Sequence, residues 1–433
     1  MVIVVGFGVS RIPLSASPCL AASGVKRGNQ EETRLEPMNS DRDIVVLSRD
    51  DAMRLGEQTV PRLVLERARA DESKALRVGA KLRVPENPRV EFDFRPGLNQ
   101  SALGAFGYAV TGEVVFDVAN AARTRVAQAE AEVELAQAQF AVARLDARAL
   151  VAQTYVDVQL ARVRVAQASE RVTIAKRIED IAVARLAAGA GQEIETSSAK
   201  LASMQAKREK VRAQADLEIA QTDLRYLLAL KKTDQLRLTS PVMQVVAAPS
   251  VATMMAFATK ARPEIKVLAR EAEVREKAEA RLKREAKPKL GALVGVDAAP
   301  ASPIFGFLGF SFELPVVQRN QRQLAINRAR QSSERIALAL ESQELEHQVQ
   351  TLRLSFEALR SELELLHSES IPLALTRLAL IEEGWRSGHF DVFRVTSAMQ
   401  DINEMRRQEI DALEQVWRVR LLLERLIGGW PHA

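Results

Sequence analysis

Residues 120–186 read NAARTRVAQAEAEVELAQAQFAVARLDARALVAQTYVDVQLARVRVAQASERVTIAKRIEDIAVARL, a stretch of 67 positions without a glycine or a proline. A breaker-free run dense in Ala, Glu, Gln, Arg and Leu is one long helix, since these side chains lose little rotamer freedom in a helix. At about 1.5 Å per residue it extends roughly 100 Å. Val126, Val133, Phe140 and Ala147 recur every seven residues, and Ala129, Ala136, Ala143 and Leu150 follow three behind. That is a coiled-coil seam with an unusual share of alanine. Small seam residues let helix axes approach closely, which suits a wall of many helices better than a wide globular core.

Working back from this helix, residues 1–47 form a leader followed by a polar, unstructured stretch. Ser48-Arg49-Asp50-Asp51 caps a helix running through Ala52, Leu55, Val64 and Leu65 towards Leu82. Pro85 and Pro88 end it. Residues 89–95 then alternate, with Val90, Phe92 and Phe94 on one face and Arg89, Glu91, Asp93 and Arg95 on the other, as a strand with one apolar face does. A loop through Pro96 and Gly97 leads to a second strand at about 108–118, which sets Val110, Val114, Phe116 and Val118 against Thr111, Glu113 and Asp117. Beyond the long helix, Gly189 and Gly191 supply a left-handed stop. A return helix spans 196–231. Residues 233–260, with Pro241 and Pro249, read as a linker between a first unit, 48–232, and a second, 261–430.

The second unit repeats the first. Pro263 opens a helix as Pro61 does 202 positions earlier, Gly388 lies 199 positions after Gly189, and Ala398 lies 199 after Ala199. Pro288 precedes a strand at about 289–297, with Leu290, Ala292, Val294 and Val296 on one face. A strand at about 305–314 alternates Leu308, Phe310, Phe312 and Leu314 with Gly309, Ser311 and Glu313. A long helix follows over 320–386, kinked by Pro372, and a return helix over 391–428. Such agreement across some 200 positions marks a tandem duplication.

Bulk composition narrows the classes. Aromatic residues make up only 5% and charged ones 27%, as long solvated helices require. Basic residues number 61 against 56 acidic, with no Lys/Arg block interleaved with aromatics, so nucleic acid is not an expected partner. The lone cysteine, Cys19, excludes a disulfide framework. No apolar stretch approaches the roughly 18 residues a membrane helix needs. The apolar Met1–Phe7 and the small residues of Ser15–Ser23 fit either an export signal or a misplaced start codon, and Cys19 follows Pro18, a poor context for lipidation.

Each unit contributes two strands, so one chain holds four. Four strands cannot close, and in lipid an open sheet edge leaves unpaired backbone worth several kcal/mol per group. Three copies would bring twelve strands, within the range of outer-membrane barrels. The expected fold is mainly α with a small β part: a long α-helical barrel of coiled-coil hairpins in two tandem repeats, plus four strands per chain contributing to a shared trimeric 12-stranded transmembrane β-barrel. Val90, Phe92, Phe94, Val114, Phe116, Phe310 and Phe312 would face lipid.

The order and duplication of these elements resemble the TolC-like outer-membrane factors, the outer membrane efflux protein family, over about residues 48–430. Arg262-Pro263-Glu264-Ile265 resembles that family's start of the second repeat, and Lys287-Pro288-Lys289-Leu290 its approach to a barrel strand. Glu313-Leu314-Pro315-Val316-Val317-Gln318-Arg319-Asn320-Gln321 is similar to the strand-to-helix junction of the heavy-metal (cobalt–zinc–cadmium type) efflux branch, with Arg322 where that branch usually has glycine. The resemblance implies a homotrimeric outer-membrane channel with its helical tube in the periplasm, the passive exit duct of a tripartite efflux system for heavy-metal cations or other small solutes. It implies docking of a periplasmic adaptor (membrane fusion protein) and an inner-membrane pump at the tip turns, at Arg185, Leu186, Gly189, Arg386, Ser387 and Gly388. Glu193, Glu195 and Asp391 could draw cations to the entrance, although a helix N-terminus favours acidic residues in any case. A drug-efflux or type I protein-secretion duct is the alternative, and a non-channel periplasmic coiled-coil scaffold the reading from another class. No enzymatic motif, cofactor or metal site is expected; His389, beside the tip glycine, reads as a lone polar surface residue.

Overall fold

The computed structural model describes residues 44–430 apart from 83, 85, 86, 97–105, 117–119 and 299–303. The expectations for the leader and Cys19, for the loop after Pro96, and for Asp117 and Val118 lie outside the described residues. The chain runs β1 (Ile44–Leu47), α1 (Arg49–Thr59), α2 (Pro61–Ser73), α3 (Leu76–Ala80), β2 (Arg89–Pro96), β3 (Phe106–Phe116), α4 (Ala121–Ala187), α5 (Glu193–Leu227), β4 (Gln235–Leu238), α6 (Val251–Ala261), α7 (Pro263–Glu285), β5 (Lys289–Ala298), β6 (Phe305–Glu313), α8 (Gln321–Leu365), α9 (Ile371–Arg386) and α10 (Val392–Ile427).

α4 is unbroken over 67 residues. Its counterpart is divided by a π turn, Leu366–Ser370, directly before Pro372. Proline has no N–H for the carbonyl four residues back and its ring crowds that carbonyl, so the wider turn absorbs the break. Away from the sheet the helices pack in the order α5, α4, α10 and then α8 with α9; nearer the sheet the order is α2, α4, α7, α8. Each level is therefore four helices wide with two uncovered edges.

The duplication is written into the backbone. Asn120 and Asn320, one residue ahead of α4 and α8, both take φ 58°. The helices α4, α5, α9 and α10 end alike. In α4 the Ala190 N–H donates to the Arg185 carbonyl at 2.9 Å and Gly189 to Leu186 at 3.0 Å; in α9 His389 donates to Gly384 at 2.8 Å and Gly388 to Trp385 at 3.1 Å. In α5 Leu230 donates to Arg225 at 2.9 Å, and in α10 Gly429 donates to Glu424 at 2.8 Å. Each closure needs one left-handed residue: Gly189 (72°), Ala229 (51°), Gly388 (82°) and Gly428 (85°).

Several segments differ from the reading of the sequence. The first helix is three pieces, because Val60 turns extended ahead of Pro61 and α3 stops at Ala80. The stretch 233–260 is not a linker, and 44–47 is not unstructured: β1 and β4 pair in parallel, Ile44 with Gln235 through Leu47 with Leu238, and α6 is a full helix. Six strands are present among the described residues, four of them in one sheet. The return helix of the first unit is Glu193–Leu227, starting three residues early and ending four early.

These missed segments form a waist around the middle of α4. Val151, Ala152, Tyr155, Val156, Val158, Leu160 and Ala161 are all buried, so α4 is enclosed there except on the narrow side where Gln153 and Asp157 are exposed. Tyr155, Val151 and Val158 pack with Leu47, Leu63, Leu224, Leu236 and Leu238. Val156 and Leu160 pack with Met254, Val349, Phe356, Leu413 and Trp417. Polar anchors fix the strap: the Tyr155 hydroxyl donates to the Leu47 carbonyl at 3.1 Å and accepts from the Ser240 N–H at 3.0 Å, and Trp417 Nε1 donates to the Val242 carbonyl at 2.7 Å. In the seam of α4, Ala129, Val133 and Ala147 are buried, whereas Leu150 is 45% exposed and lines a cleft between α4 and α10.

Tyr155→Phe strands the Ser240 N–H in the waist, while the Leu47 carbonyl keeps the Thr239 N–H at 3.1 Å, and lowers stability by about 1–3 kcal/mol in chemical denaturation. Ala229→Gly removes the one side chain held in the left-handed region at these four closures. It raises the unfolding midpoint, by about 0.5–1 kcal/mol in free energy, while Gly428→Ala lowers it, because a Cβ there would meet the Ala261 carbonyl carbon at 3.1 Å.

Candidate functional site: an exposed apolar sheet and a double-turn helix tip

Four strands pair in the order β2-β3-β5-β6, antiparallel throughout. Because residues directly opposite in a ladder share a face, the register sorts the whole sheet. One row runs Val90, Gly112, Val294, Leu308; the next runs Phe92, Val110, Val296 and Gly306; Val114, Ala292 and Phe310 form a third, and Phe116, Leu290 and Phe312 a fourth. This face is apolar from edge to edge. No helix covers it: Phe92, Phe94, Phe310 and Phe312 are between 65% and 76% exposed, Val90 and Phe116 are exposed, and Val114 is half-buried.

The opposite face carries Arg89, Glu91, Asp93, Arg95, Thr111, Glu113, Asp297, Ser311 and Glu313 by the same register. Several of its groups pair across the strands: Ser311 Oγ donates to Glu113 at 2.5 Å, Arg95 lies 3.4 Å from Asp297, and Lys289 lies 3.4 Å from Glu313. Four larger apolar residues, Val115, Leu293, Phe305 and Phe307, interrupt it, and the Phe307 ring lies across Gly295, where a Cβ would sit 2.5 Å from the ring. The outer strands β2 and β6 each have a second edge with no strand beside it among the described residues.

At the other end of the helices, the α4–α5 and α9–α10 turns lie side by side. Ala175, Ile178, Ala182, Ala199 and Ala206 of the first hairpin pack against Leu378, Trp385, Val392, Val395, Ala398 and Met399 of the second. Ala199 and Ala398, the pair matched in the sequence, are both buried in this cluster. Arg185 ties the turns together: Nη1 donates to the Trp385 carbonyl and Nη2 to the Ala190 carbonyl, each at 3.0 Å, with the guanidinium 5.7 Å from the centre of the fully buried Trp385 ring.

The other tip residues fall as follows. Leu186 and Arg386 are exposed, the latter 3.9 Å from Glu383. Gly189 and Gly388 make the left-handed closures, and Ser387 Oγ caps the Glu383 carbonyl at 2.9 Å and meets His389 Nδ1 at 2.9 Å. Asp391 is the N-cap of α10, accepting from the Arg394 N–H at 3.0 Å. Glu193 is exposed and Glu195 half-buried in the first turn of α5. The structure thus gives Arg185 and Asp391 internal partners. The Arg185–Trp385 contact had one sequence signal, a tryptophan 200 positions beyond an arginine in a duplicated chain.

Elsewhere, a cleft of about 440 Å³ between α4, α5 and α10 is lined by Arg164, Arg171 and Arg406, but these are tied to Glu414 at 2.5 Å, to Glu209 and to Glu170 respectively. Crowding by the helices around Asp157, and then the Glu414 carboxylate, push the Asp157 carboxyl above its ordinary value. Among the described residues no group of His, Cys, Asp and Glu could hold a metal ion, and no helix is long and apolar enough to cross a membrane.

Residues 65–230 match the sequence profile of the family described as "Outer membrane efflux protein". No curated protein sequence matches the chain. Among solved structures, those of CusC, which undergoes conformational changes on folding and transmembrane channel formation, superpose with a TM-score of 0.71 at 14% identity, over 92% of this chain and 96% of that one. The outer-membrane channel OprN gives 0.69 at 13% identity over 88% and 90%. The open-state outer membrane channel MtrE of Neisseria gonorrhoeae gives 0.67 at 14% over 88% and 89%. At these identities the likeness establishes the fold alone: mainly helical with a small sheet, as in those channels.

Arg185→Ala frees two turns that the guanidinium joins, and amide hydrogen exchange should rise by about an order of magnitude over 182–193 and 385–392. Lys at this position should rescue only partly, because its single nitrogen lacks the planar fork that reaches two carbonyls at once.

Proposed function

We propose that three copies of this chain close a channel in the bacterial outer membrane and that this channel is the passive exit duct of a tripartite efflux system. The observation that carries the reading is the sheet β2-β3-β5-β6, whose one face is apolar and uncovered and whose two edges are open. Strand directions alternate across it, so β6 of one copy meets β2 of the next antiparallel, and twelve strands close without an edge. Val90, Phe92, Phe94, Val114, Phe116, Phe310 and Phe312 then face lipid and the charged face lines water.

The helical layer supports the same operation. Its edge helix α5 exposes Ile194, Leu201, Met204, Val211, Ile219 and Tyr226, and the opposite edge exposes Leu354, Leu365, Leu373 and Leu380. Two different apolar edges fit each other head to tail, which is how a ring is built.

In this reading the tube stands in the periplasm, and the adaptor with its inner-membrane pump meets the tip at Leu186, Arg386 and the turns around Gly189 and Gly388. Arg185 and Ser387 shape those turns from within. Glu193, Glu195 and Asp391 stand at the entrance. The junction from Glu313 to Gln321 supports heavy-metal cations or other small solutes as cargo, with energy and selectivity supplied by the pump.

Cross-linking the detergent-extracted protein should give a heat-modifiable trimer that forms pores in planar bilayers; a soluble monomer or dimer would reject the duct in favour of a scaffold. Within the barrel, Phe310→Lys should cost about 2–4 kcal/mol of insertion and cut the yield of membrane-embedded trimer. Phe307→Lys, on the other face of the same strand, should leave that yield nearly unchanged.

A further inference from the structure

We infer that a basic collar at the helix-side end of the sheet seats on the anionic phospholipid headgroups of the leaflet nearer the helices; the inference rests on the barrel reading above. All four strand–helix junctions lie at one end. Register pairs Arg89 with Glu113 and Lys289 with Glu313, Arg125 donates to the Leu82 carbonyl at 2.8 Å, and Asn320 donates to the Leu282 carbonyl at 3.1 Å. At these junctions Lys81, Arg89, Arg123, Arg284, Lys287 and Arg322 are exposed, and none of their side chains makes an ion pair or hydrogen bond among the described residues.

Most neighbouring carboxylates are taken. Glu279 pairs with Lys283 at 2.8 Å, Glu285 with Arg281 at 3.9 Å and Glu313 with Lys289 at 3.4 Å, and Glu91, two residues beyond Arg89 in β2, offsets one charge of the collar at most. Helix electrostatics accounts for Arg284 and Lys287, which follow the negative end of α7. It does not account for Arg123 and Arg322. Both stand in the first turn of a helix, where a cation is disfavoured, and neither helix has an acidic residue there.

The apolar neighbours identify the occupant. Leu82, Leu314, Val316 and Val317 are exposed at the same junctions, Val317 to 81%. A purely aqueous anion would gain nothing from them. A leaflet offers both phases at this depth, acyl chains beside the aliphatic groups and phosphates beside the cations.

The test uses the full chain in detergent, offered vesicles of pure phosphatidylcholine or of an equal mixture of phosphatidylcholine and phosphatidylglycerol, with insertion scored by flotation. Roughly tenfold preference for the anionic vesicles is expected, weakening at high ionic strength. Combined Lys81→Gln, Arg123→Gln, Arg284→Gln, Lys287→Gln and Arg322→Gln should abolish the preference while insertion into phosphatidylcholine persists. The single changes Arg123→Gln and Arg322→Gln should each lower it, so the test stands even where the multiple variant folds poorly. Lys200→Gln with Lys207→Gln and Arg208→Gln, exposed on α5, should leave it intact. Equal insertion into both vesicles, or an equal loss in the α5 variant, overturns the collar alone. No insertion into either vesicle overturns the barrel reading and the collar with it.

Discussion

The outer strands β2 and β6 each hold a row of backbone donors and acceptors that no strand among the described residues satisfies. In water such an edge costs little, because solvent completes it. The apolar face of this sheet, however, is stable only out of water, and in hydrocarbon each unsatisfied backbone group costs several kcal/mol. The two demands conflict within one chain and agree once neighbouring copies add their strands. In the proposed trimer, closure answers both demands at once, and the helical layer with its two unlike apolar edges fits the same rotation.

That arrangement makes a second demand, which the waist meets. Rods packed through alanine bury little area per residue, and at about 25 cal/mol per Å² such seams are weak cores. Stability concentrates where Val151 to Ala161 is enclosed on most of its sides, by the first unit's short helices and by α6, α8 and α10. The parallel pair β1 and β4 joins the chain's described start to the end of its first unit. Hydrogen bonds from Tyr155 and Trp417 then fix how far α4 and α10 can slide past that strap. The sheet and the tip are thus held in axial register from the middle.

How far the sequence could be read follows from the range of the interactions. Periods of two and of seven are local, so the four strands of the large sheet and the two long helices fall within a few residues of their expected places. Pro372 marked a break, and the structure shows its form, a π turn. The waist was illegible because its signals are contacts across the fold. Four-residue β1 and β4 carry no alternation long enough to register, and the stretch after Pro249 looked like linker although Ser250 caps α6 through its hydroxyl, 3.2 Å from the Thr253 nitrogen. The Arg319-Asn320-Gln321 run is explained locally: Arg319 Nε donates to the Pro315 carbonyl at 3.0 Å and Gln321 Nε2 to the Val317 carbonyl at 2.7 Å, while Asn320 takes the left-handed turn. Its likeness to a metal-efflux junction is first a likeness in how a strand becomes a helix.

The duplication also shows where the halves have been free to differ. Backbone closures are conserved between them to the residue, whereas the side chains at the tip have exchanged bulk. Arg185 sits where the second unit has Gly384, and Gly191 where it has Phe390. Gly384 makes room for the Phe390 ring, which a Cβ there would strike, whereas a Cβ on Gly191 would meet the backbone of the turn itself, the Leu186 nitrogen at 2.9 Å. One turn therefore presents a cation that clasps its neighbour, and the other an aromatic folded back on itself, below a π turn that its counterpart lacks. A ring of three such chains would hold six hairpins of one backbone shape in two alternating chemistries. A partner built to read shape would find six equivalent seats there, and one built to read charge would find three.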